Sequence, residues 1–311
     1  MTSLVAIDLE WNTASRGLKV DPDLASRMMF EIIEIGAVRL DDGMRVKDRF
    51  ATPVRPVLYT KLQHHIARVT NRTSQSLEEG LTFPKAWRSL LDFAGHDLVL
   101  ASWGTSDPEV LISNLQFHEI KPQPAFRALN IQAVFSALAE GTSRGNQRSI
   151  EYALDFLRLD KDLPFHEALS DAVYAGRILA ETLRPELEAG KDPEKLLKPF
   201  IYDPFLVSQS EERLEIEKDT DVPAYLNRRT YRCPACQNPL TGDFMEINPG
   251  KSWFAKGHCP DHGDIELLVK RARRTRTPQL QVRCRIPQGP LVVPKPPPEK
   301  ERVVWTDPKA E

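Results

Sequence analysis

The sequence predicts an α/β protein followed by a small metal-binding module, and three observations carry that expectation. Over the first ~185 residues, apolar runs of strand length alternate with stretches of helical periodicity. From Arg184 the texture changes to a charge- and proline-rich stretch. All four cysteines, Cys233, Cys236, Cys259 and Cys284, lie beyond it, in the last quarter of the chain. The expected division is therefore 1–185 as the main domain, 186–228 as a charged, partly ordered connector, 229–285 as the cysteine-bearing module and 286–311 as a disordered proline-rich tail.

The main domain reads element by element. LVAIDLEWN (4–12) opens it with a buried strand, and IIEIGAVRL (32–40) is a second. Asp41-Asp42-Gly43 supplies turn chemistry, so MRVKDRFATPV returns as the third strand of a hairpin. Pro84 opens a helix that Gly95 ends. DLVLASWG (97–104) is another buried strand, and DPEVLISNLQFHEI is a helix with Asp107 near its start. A short strand over ALNIQAVF, a helix over SIEYALDFLRL and a final helix within FHEALSDAVYAGRILAETL complete the series.

Length and charge bound what the chain does. Its 311 residues suffice for one substantial core and a smaller module. A net charge of -2 excludes a uniformly basic nucleic-acid coat but leaves local patches open. No run approaches the ~18 apolar residues that cross a bilayer. Asp8 and Glu10 interrupt the first apolar run too early for a secretory signal. The expected address is cytoplasmic, and there cysteines favour metal over a disulfide framework.

A strand places residues i and i+2 on one face, so Asp8 and Glu10 point together. Two carboxylates that close repel unless a cation lies between them, although a strand end emerging into solvent also tolerates acids. Asp107 follows a central strand, where an α/β sheet delivers residues to its carboxyl-end crevice. His166 and Asp171 stand five apart in HEALSD, which puts His166 on a loop and Asp171 in the first turns of the last helix. Four acids and one histidine thus gather at element ends, an oxygen-rich set suited to Mg²⁺ or Mn²⁺.

Asp8-Leu9-Glu10, Asp107 within SWGTSDPEVL, and His166 and Asp171 within HEALSDA resemble, in order and spacing, the three motifs of the DEDDh 3′→5′ exonuclease superfamily. That superfamily includes ribonuclease T and the proofreading subunit of DNA polymerase III; the SWG and HEALSDA segments look most like its Eri1/KapD-like RNA exonuclease branch. The resemblance implies a ribonuclease-H-like mixed sheet flanked by helices and hydrolysis assisted by two Mg²⁺ or Mn²⁺ ions. By the same carry-over Asp8 bridges both ions, Glu10 and Asp171 complete the ligand set, Asp107 holds one ion through water, and His166 is the general base. The implied substrates are single-stranded 3′ ends, RNA favoured over DNA, released as nucleoside 5′-monophosphates. The alternative is a catalytically weak or inactive adaptor that binds nucleic acid or a protein partner through its zinc module.

The chain departs from relatives at three places. Trp11 stands where many carry a small residue, and either stacks on the terminal base or packs over the strand end. Thr70, Asn71 and Arg72 replace a Thr-Gly-Ile-like turn that contacts the 3′ nucleotide. The stretch between Trp11 and Ile32 is long, either a lid or a surface insertion.

In the cysteine module, Cys233 and Cys236 form a C-x₂-C pair, Cys259 and His262 a C-x₂-H pair, and NPG (248–250) between them predicts a hairpin. Two such pairs read as a closed structural zinc site, with His258 and Cys284 as competitors for the fourth position. The basic run that follows includes Lys270, Arg271, Arg273, Arg274, Arg276, Arg283 and Arg285. It reads as a nucleic-acid contact with Trp253 and Phe254 as stacking surfaces, or as a dock for the acidic connector.

Overall fold

The computed structural model describes residues 3–14, 20–70, 72–95, 97–122, 125–142, 148–272 and 277–287. The expectations for Asn71, Arg273, Arg274, Arg276 and the tail from 288 lie outside these residues. So does part of the stretch proposed as a lid or insertion, whose described portion includes one short helix, α1 (Pro22–Arg27). The chain divides into two compact units, one ending at Leu206 and one beginning at Val207.

The first unit is built on three long antiparallel neighbours, β1 (Ser3–Asn12), β2 (Glu31–Leu40) and β3 (Val46–Arg55). The turn between β2 and β3 is held by Asp41, whose Oδ1 accepts from the N–H groups of Gly43 and Arg45, each at 2.9 Å. Two short helices follow, α2 (His64–Val69) and α3 (Ser74–Glu78), then the edge strand β4 (Leu81–Thr82). Helix α4 (Phe83–Ala94) buries Phe83, Ala86, Trp87, Leu90 and Ala94 at helical spacing and stops at Gly95, whose φ of 81° suits a residue without a Cβ.

Strand β5 (Leu98–Ser102) runs parallel to β1 and leads into α5 (Ser106–Phe117). Strand β6 (Arg127–Asn130) is shorter than the sequence suggests, because IQAVF is not strand but the start of helix α6 (Ile131–Leu138). Asn130 decides the change: its side chain accepts from the N–H of Ala133 and caps the helix. Helices α7 (Ile150–Leu157), α8 (Ala168–Glu188) and α9 (Pro193–Leu197) follow, and β7 (Ile201–Tyr202) closes the far edge. The sheet order β4-β3-β2-β1-β5-β6-β7 mixes parallel and antiparallel neighbours.

Each face of this sheet carries its own core. Leu4 and Ala6 of β1 and Val38 and Leu40 of β2 pack with Val173, Tyr174, Ile178 and Leu179 of α8. Val5, Ile7 and Leu9 face the other way, with Trp87 and Leu90 of α4 and Leu111 of α5. Alternation along β1 therefore sorts its residues between two buried layers.

The second unit is a five-stranded antiparallel sheet with a separate two-stranded ribbon. Strand β8 (Gln209–Glu215) comes first, then α10 (Val222–Asn227), the two-residue strands β9 (Tyr231–Arg232) and β10 (Pro239–Leu240), and β11 (Met245–Asn248). Strands β12 (Ser252–Cys259), β13 (Gly263–Arg271) and β14 (Gln279–Arg285) complete it, in the order β11-β12-β13-β14-β8. NPG forms the β11–β12 hairpin. The expected connector is folded: α9 and β7 belong to the first unit, whereas β8 pairs along β14 in the second. Its acids make that pairing favourable, because Glu211 lies opposite Arg283 and forms an ion pair with it. Among the described residues no helix is long and apolar enough to cross a membrane.

Candidate active site and metal centres

Leu4, Ala6, Asp8 and Glu10 share one face of β1, the face covered by α8. The apolar stripe turns acidic where the helix begins. Across β2, Gly36 stands opposite Asp8 and Glu34 opposite Glu10. The register then shifts between Glu10 and Trp11, leaving Ile33 unpaired, a bulge that re-aims the strand end. Beyond it Asn12 turns inward, fully buried, and its Nδ2 donates to the carbonyls of Tyr59 (2.7 Å) and Lys61 (3.0 Å).

Helix α8 delivers Asp171 to this stripe. The carboxylates of Asp8, Glu10 and Asp171 offer oxygens that all lie within 4.8 Å of one another. Asp171 Oδ2 accepts the backbone N–H of His166 at 3.0 Å, whereas its buried Oδ1 has no hydrogen-bond partner in the protein. A buried, unpartnered carboxylate oxygen aimed among other acids fits a divalent cation.

Asp107 arrives from the neighbouring strand. Gly104, at φ 101°, turns the chain out of β5 so that Asp107 falls in the first turn of α5. Its Oδ1 accepts the Leu9 N–H at 2.9 Å, which fixes it against β1 between the two acids. His166 is exposed on the loop before α8, with φ at 63°. That loop is anchored by the Tyr174 hydroxyl, which accepts from Leu163 N–H (2.7 Å) and donates to Leu163 C=O (2.6 Å).

Without a cation the cluster resists ionisation. Burial first, then the charges of Asp107, Asp171, Glu10 and Glu34, holds Asp8 well above the usual carboxylate range. Burial and the charges of Asp171, Glu34 and Asp107 push Glu10 up to about 8. Burial raises Asp107 to about 7, although the Leu9 N–H opposes it. Asp171 is also raised by burial, against the His166 N–H and the His166 charge. Groups that oppose one another this strongly become compatible when a divalent cation is shared between them.

The 3′-end contacts expected at Thr70 and Arg72 are placed differently. Thr70 is 2% exposed and its hydroxyl donates to Ile66 C=O at 2.9 Å, continuing the helix rather than facing outward. Arg72 makes two hydrogen bonds to Glu34, from Nε at 3.1 Å and from a terminal nitrogen at 2.5 Å. Its guanidinium thus balances a buried acid beside the cluster. Trp11 is half-buried and packs on Phe30, ring centroids 5.9 Å apart.

Glu34 was missed by sequence reasoning, although a charge inside IIEIGAVRL is the same signal that singled out Asp8. Glu31 was also missed. It is 2% exposed and accepts the N–H groups of Val57, Leu58 and Tyr59, pinning the loop after β3 beside the site.

In the second unit Cys233, Cys236, Cys259 and His262 form one cluster, their ligand atoms also within 4.8 Å of one another. Cys236 and Cys259 sulfurs are 3.5 Å apart, and His262 Nδ1 is 3.7 Å from Cys233 Sγ and 3.6 Å from Cys259 Sγ. A tetrahedral ion with ~2.3 Å sulfur bonds has ligand-to-ligand edges of roughly 3.6–3.8 Å, so the set fits zinc. Burial raises the Cys259 thiol, but hydrogen bonds from His262, the Asp261 backbone and Cys236 outweigh it and bring it to about 6. The two competitors fall outside the cluster: Cys284 is buried in the sheet core, and His258 is exposed beside Asp264.

Among the described residues of the basic run, two are ion-paired. Arg285 is bonded to Glu266 and Arg283 to Glu211 of β8, so the acidic connector docks there. Arg271 donates to Gly250 C=O at 3.1 Å and lies over the Trp253 ring, whereas Lys270 is exposed. Trp253 and Phe254 are 2% and 3% exposed, so neither offers a stacking surface; β12 is paired on both sides, by β11 and β13, and its apolar side chains are needed inside.

No curated protein matches the chain. Among solved structures it is similar to a 3′-exonuclease recognising the 3′ end of a histone mRNA stem-loop, at 22% identity over 59% of this chain and 82% of that one, TM-score 0.50. The nuclease domain of 3′hExo, a DEDDh family member bound to rAMP, matches at 23% identity over 59% of this chain and 92% of that one, TM-score 0.50. Exonuclease I matches at 13% identity over 94% of this chain and 65% of that one, TM-score 0.50. At these identities the likeness is one of fold. The RNase T exonuclease model matches residues 5–179, which span β1, α5 and the first half of α8 and so hold every acid of the cluster. The chain belongs to the RNase T exonuclease family, within the DEDDh 3′→5′ exonuclease superfamily, and is a hydrolase of nucleic acid.

Proposed function

We propose that the enzyme removes nucleoside 5′-monophosphates one at a time from single-stranded 3′ ends, with RNA favoured over DNA. The observation that carries the reading is the convergence of Asp8, Glu10 and Asp171 within 4.8 Å, with one Asp171 oxygen buried and unpartnered. Two Mg²⁺ or Mn²⁺ ions held there would supply charge neutralisation for the scissile phosphate. Asp8, Glu10 and Asp171 would hold them, with Asp107 assisting from beside β1. His166, exposed at the mouth of the cluster's helix, takes the proton of the attacking water as the bond from phosphorus to the 3′ oxygen breaks. The products are a nucleoside 5′-monophosphate and a strand shortened by one, its new 3′ oxygen protonated by solvent. The preference for RNA rests on the likeness of SWG and HEALSDA to one branch of the superfamily. The zinc-binding module, through exposed groups such as Lys270, holds the strand or a protein partner.

The test uses 5′-labelled single-stranded RNA and DNA of one sequence with Mg²⁺, Mn²⁺ or EDTA. A ladder shortening from the 3′ end, faster on RNA and lost in EDTA and in Asp8→Ala, is expected. Internal cuts, or cutting that survives Asp8→Ala, would overturn the reading.

A further inference from the structure

We infer that Gly36 is a positioning residue of the active site: its missing side chain seats the first turn of α8 on β2 and so sets how closely Asp171 approaches Asp8 and Glu10. The inference rests on the metal-cluster reading of those acids. It begins from the register, in which Gly36 is the cross-strand partner of Asp8 and shares its face. A Cβ built at Gly36 would come closer than 3.0 Å to the carbonyl carbon and oxygen of Ala168 and to the amide nitrogen of Leu169. All three are backbone atoms of the first turn of α8, and no rotamer moves them aside. The φ of Gly36 is not in the left-handed region, so its conformation does not ask for glycine. The demand is purely one of space.

What that turn carries gives the demand its purpose. Asp171 lies in it and donates its N–H to Glu167 C=O at 3.0 Å, while its Oδ2 receives the His166 N–H. Lifting the turn off β2 therefore moves Asp171 and His166 together, away from acids that stay on β1. Gly176 provides an internal comparison on the same helix and the same strand. A Cβ there would meet only side-chain atoms, Val38 Cγ2 at 3.2 Å, Leu40 Cδ2 at 3.3 Å and Val46 Cγ2 at 3.4 Å, which can shift. One glycine is fixed by backbone at the metal end, and the other by adaptable side chains further along.

The experiment compares wild type, Gly36→Ala, Gly176→Ala, Asp171→Glu, and Gly36→Ala combined with Asp171→Glu. Each is read by its thermal midpoint in EDTA, the shift of that midpoint on titration with Mn²⁺, and kcat and KM on a 3′-labelled strand. Gly36→Ala is expected to fold, to bind Mn²⁺ about tenfold more weakly and to lose about 100-fold in kcat at nearly constant KM, the scale of an ångström-sized misplacement. Gly176→Ala stays within about twofold of wild type in both. Asp171→Glu, one methylene longer, weakens Mn²⁺ binding in the wild-type chain but strengthens it in the Gly36→Ala chain. Wild-type Mn²⁺ binding in Gly36→Ala, no such reversal by Asp171→Glu, or a Gly36→Ala chain that does not fold would each overturn the assignment. A wild-type chain that binds Mn²⁺ but cuts no strand would sink the exonuclease reading alone, because the metal titration does not depend on cutting.

Discussion

His166 holds a left-handed backbone at φ 63°, a conformation that costs a residue with a Cβ about 1–2 kcal/mol. Replacing it by glycine removes that cost together with the imidazole. His166→Gly is therefore expected to melt at or above the wild-type temperature, and the general-base role proposed for His166 predicts a fall in kcat of roughly 10²–10⁴. Parallel melting and turnover measurements check it, and a large loss of stability would contradict the strain argument. The carboxylates give a second expectation. In the metal-free fold Glu10 keeps its proton to about 8 rather than 4.5, and Asp107 to about 7 rather than 3.8. Over that window the folded state binds more protons than the unfolded one, so stability falls as pH rises. Melting in EDTA should show this decline between about pH 4.5 and 8. Mn²⁺ should flatten it, and a pH-independent difference between the two would count against a shared cation. The convergence of Asp8, Glu10 and Asp171 was legible because the acids stand, in order, at the ends of predicted elements, where one pair of charges beside an apolar run would not decide. Thr70 and Arg72 were not, since nothing in their spacing says which way a side chain points once a short helix has ended.

Between α2 and α3 the Arg72–Glu34 pair ties a connecting segment to the strand that carries Gly36. The Glu34 side chain is 4% exposed and that of Arg72 is 35% exposed, so removing the cation strands a buried acid. Arg72→Ala should cost somewhat less than the roughly 3–5 kcal/mol typical of breaking a fully buried pair. Adding Glu34→Gln should recover most of it, and denaturant melts of the four chains in that cycle decide the matter. Elements with unbroken periodicity, such as β2 and α4, were readable from residue pattern alone. The sequence IQAVF was not: four apolar residues in a stretch of five do not separate alternation from helical spacing, and the cap at Asn130 settles the outcome. Likewise the bulge at Ile33 is invisible to a period of two, yet it governs what lies beyond Glu10.

At the scale of the whole chain, both units have a buried core, and the second adds a cysteine–histidine cluster to its own. The first has a core on each face of a seven-stranded sheet, whereas the second gathers its turns around Cys233, Cys236, Cys259 and His262. Zinc bound by such a cluster contributes about 10–16 kcal/mol at neutral pH, comparable to the stability of a small domain. A strong chelator should abolish one calorimetric transition and leave the other, and Cys236→Ser should act in the same direction. Two transitions that both survive chelation would exclude the cluster as a structural metal site. The boundary between the units was only partly legible, because the acidic composition of residues 209–215 suggests solvent while their pairing with a basic strand makes them sheet.

The acidic end of the β1 stripe has an evolutionary consequence. Leu4 and Ala6 show what that face of the strand prefers, and Asp8 and Glu10 oppose it in every molecule without a bound cation. A descendant copy freed from selection for cutting would gain stability from almost any apolar replacement at those two positions, so drift would erase them early. Retention of both acids in a gene lineage is therefore a record of continued use, and their loss to valine or leucine would mark the generation in which cutting ceased to matter.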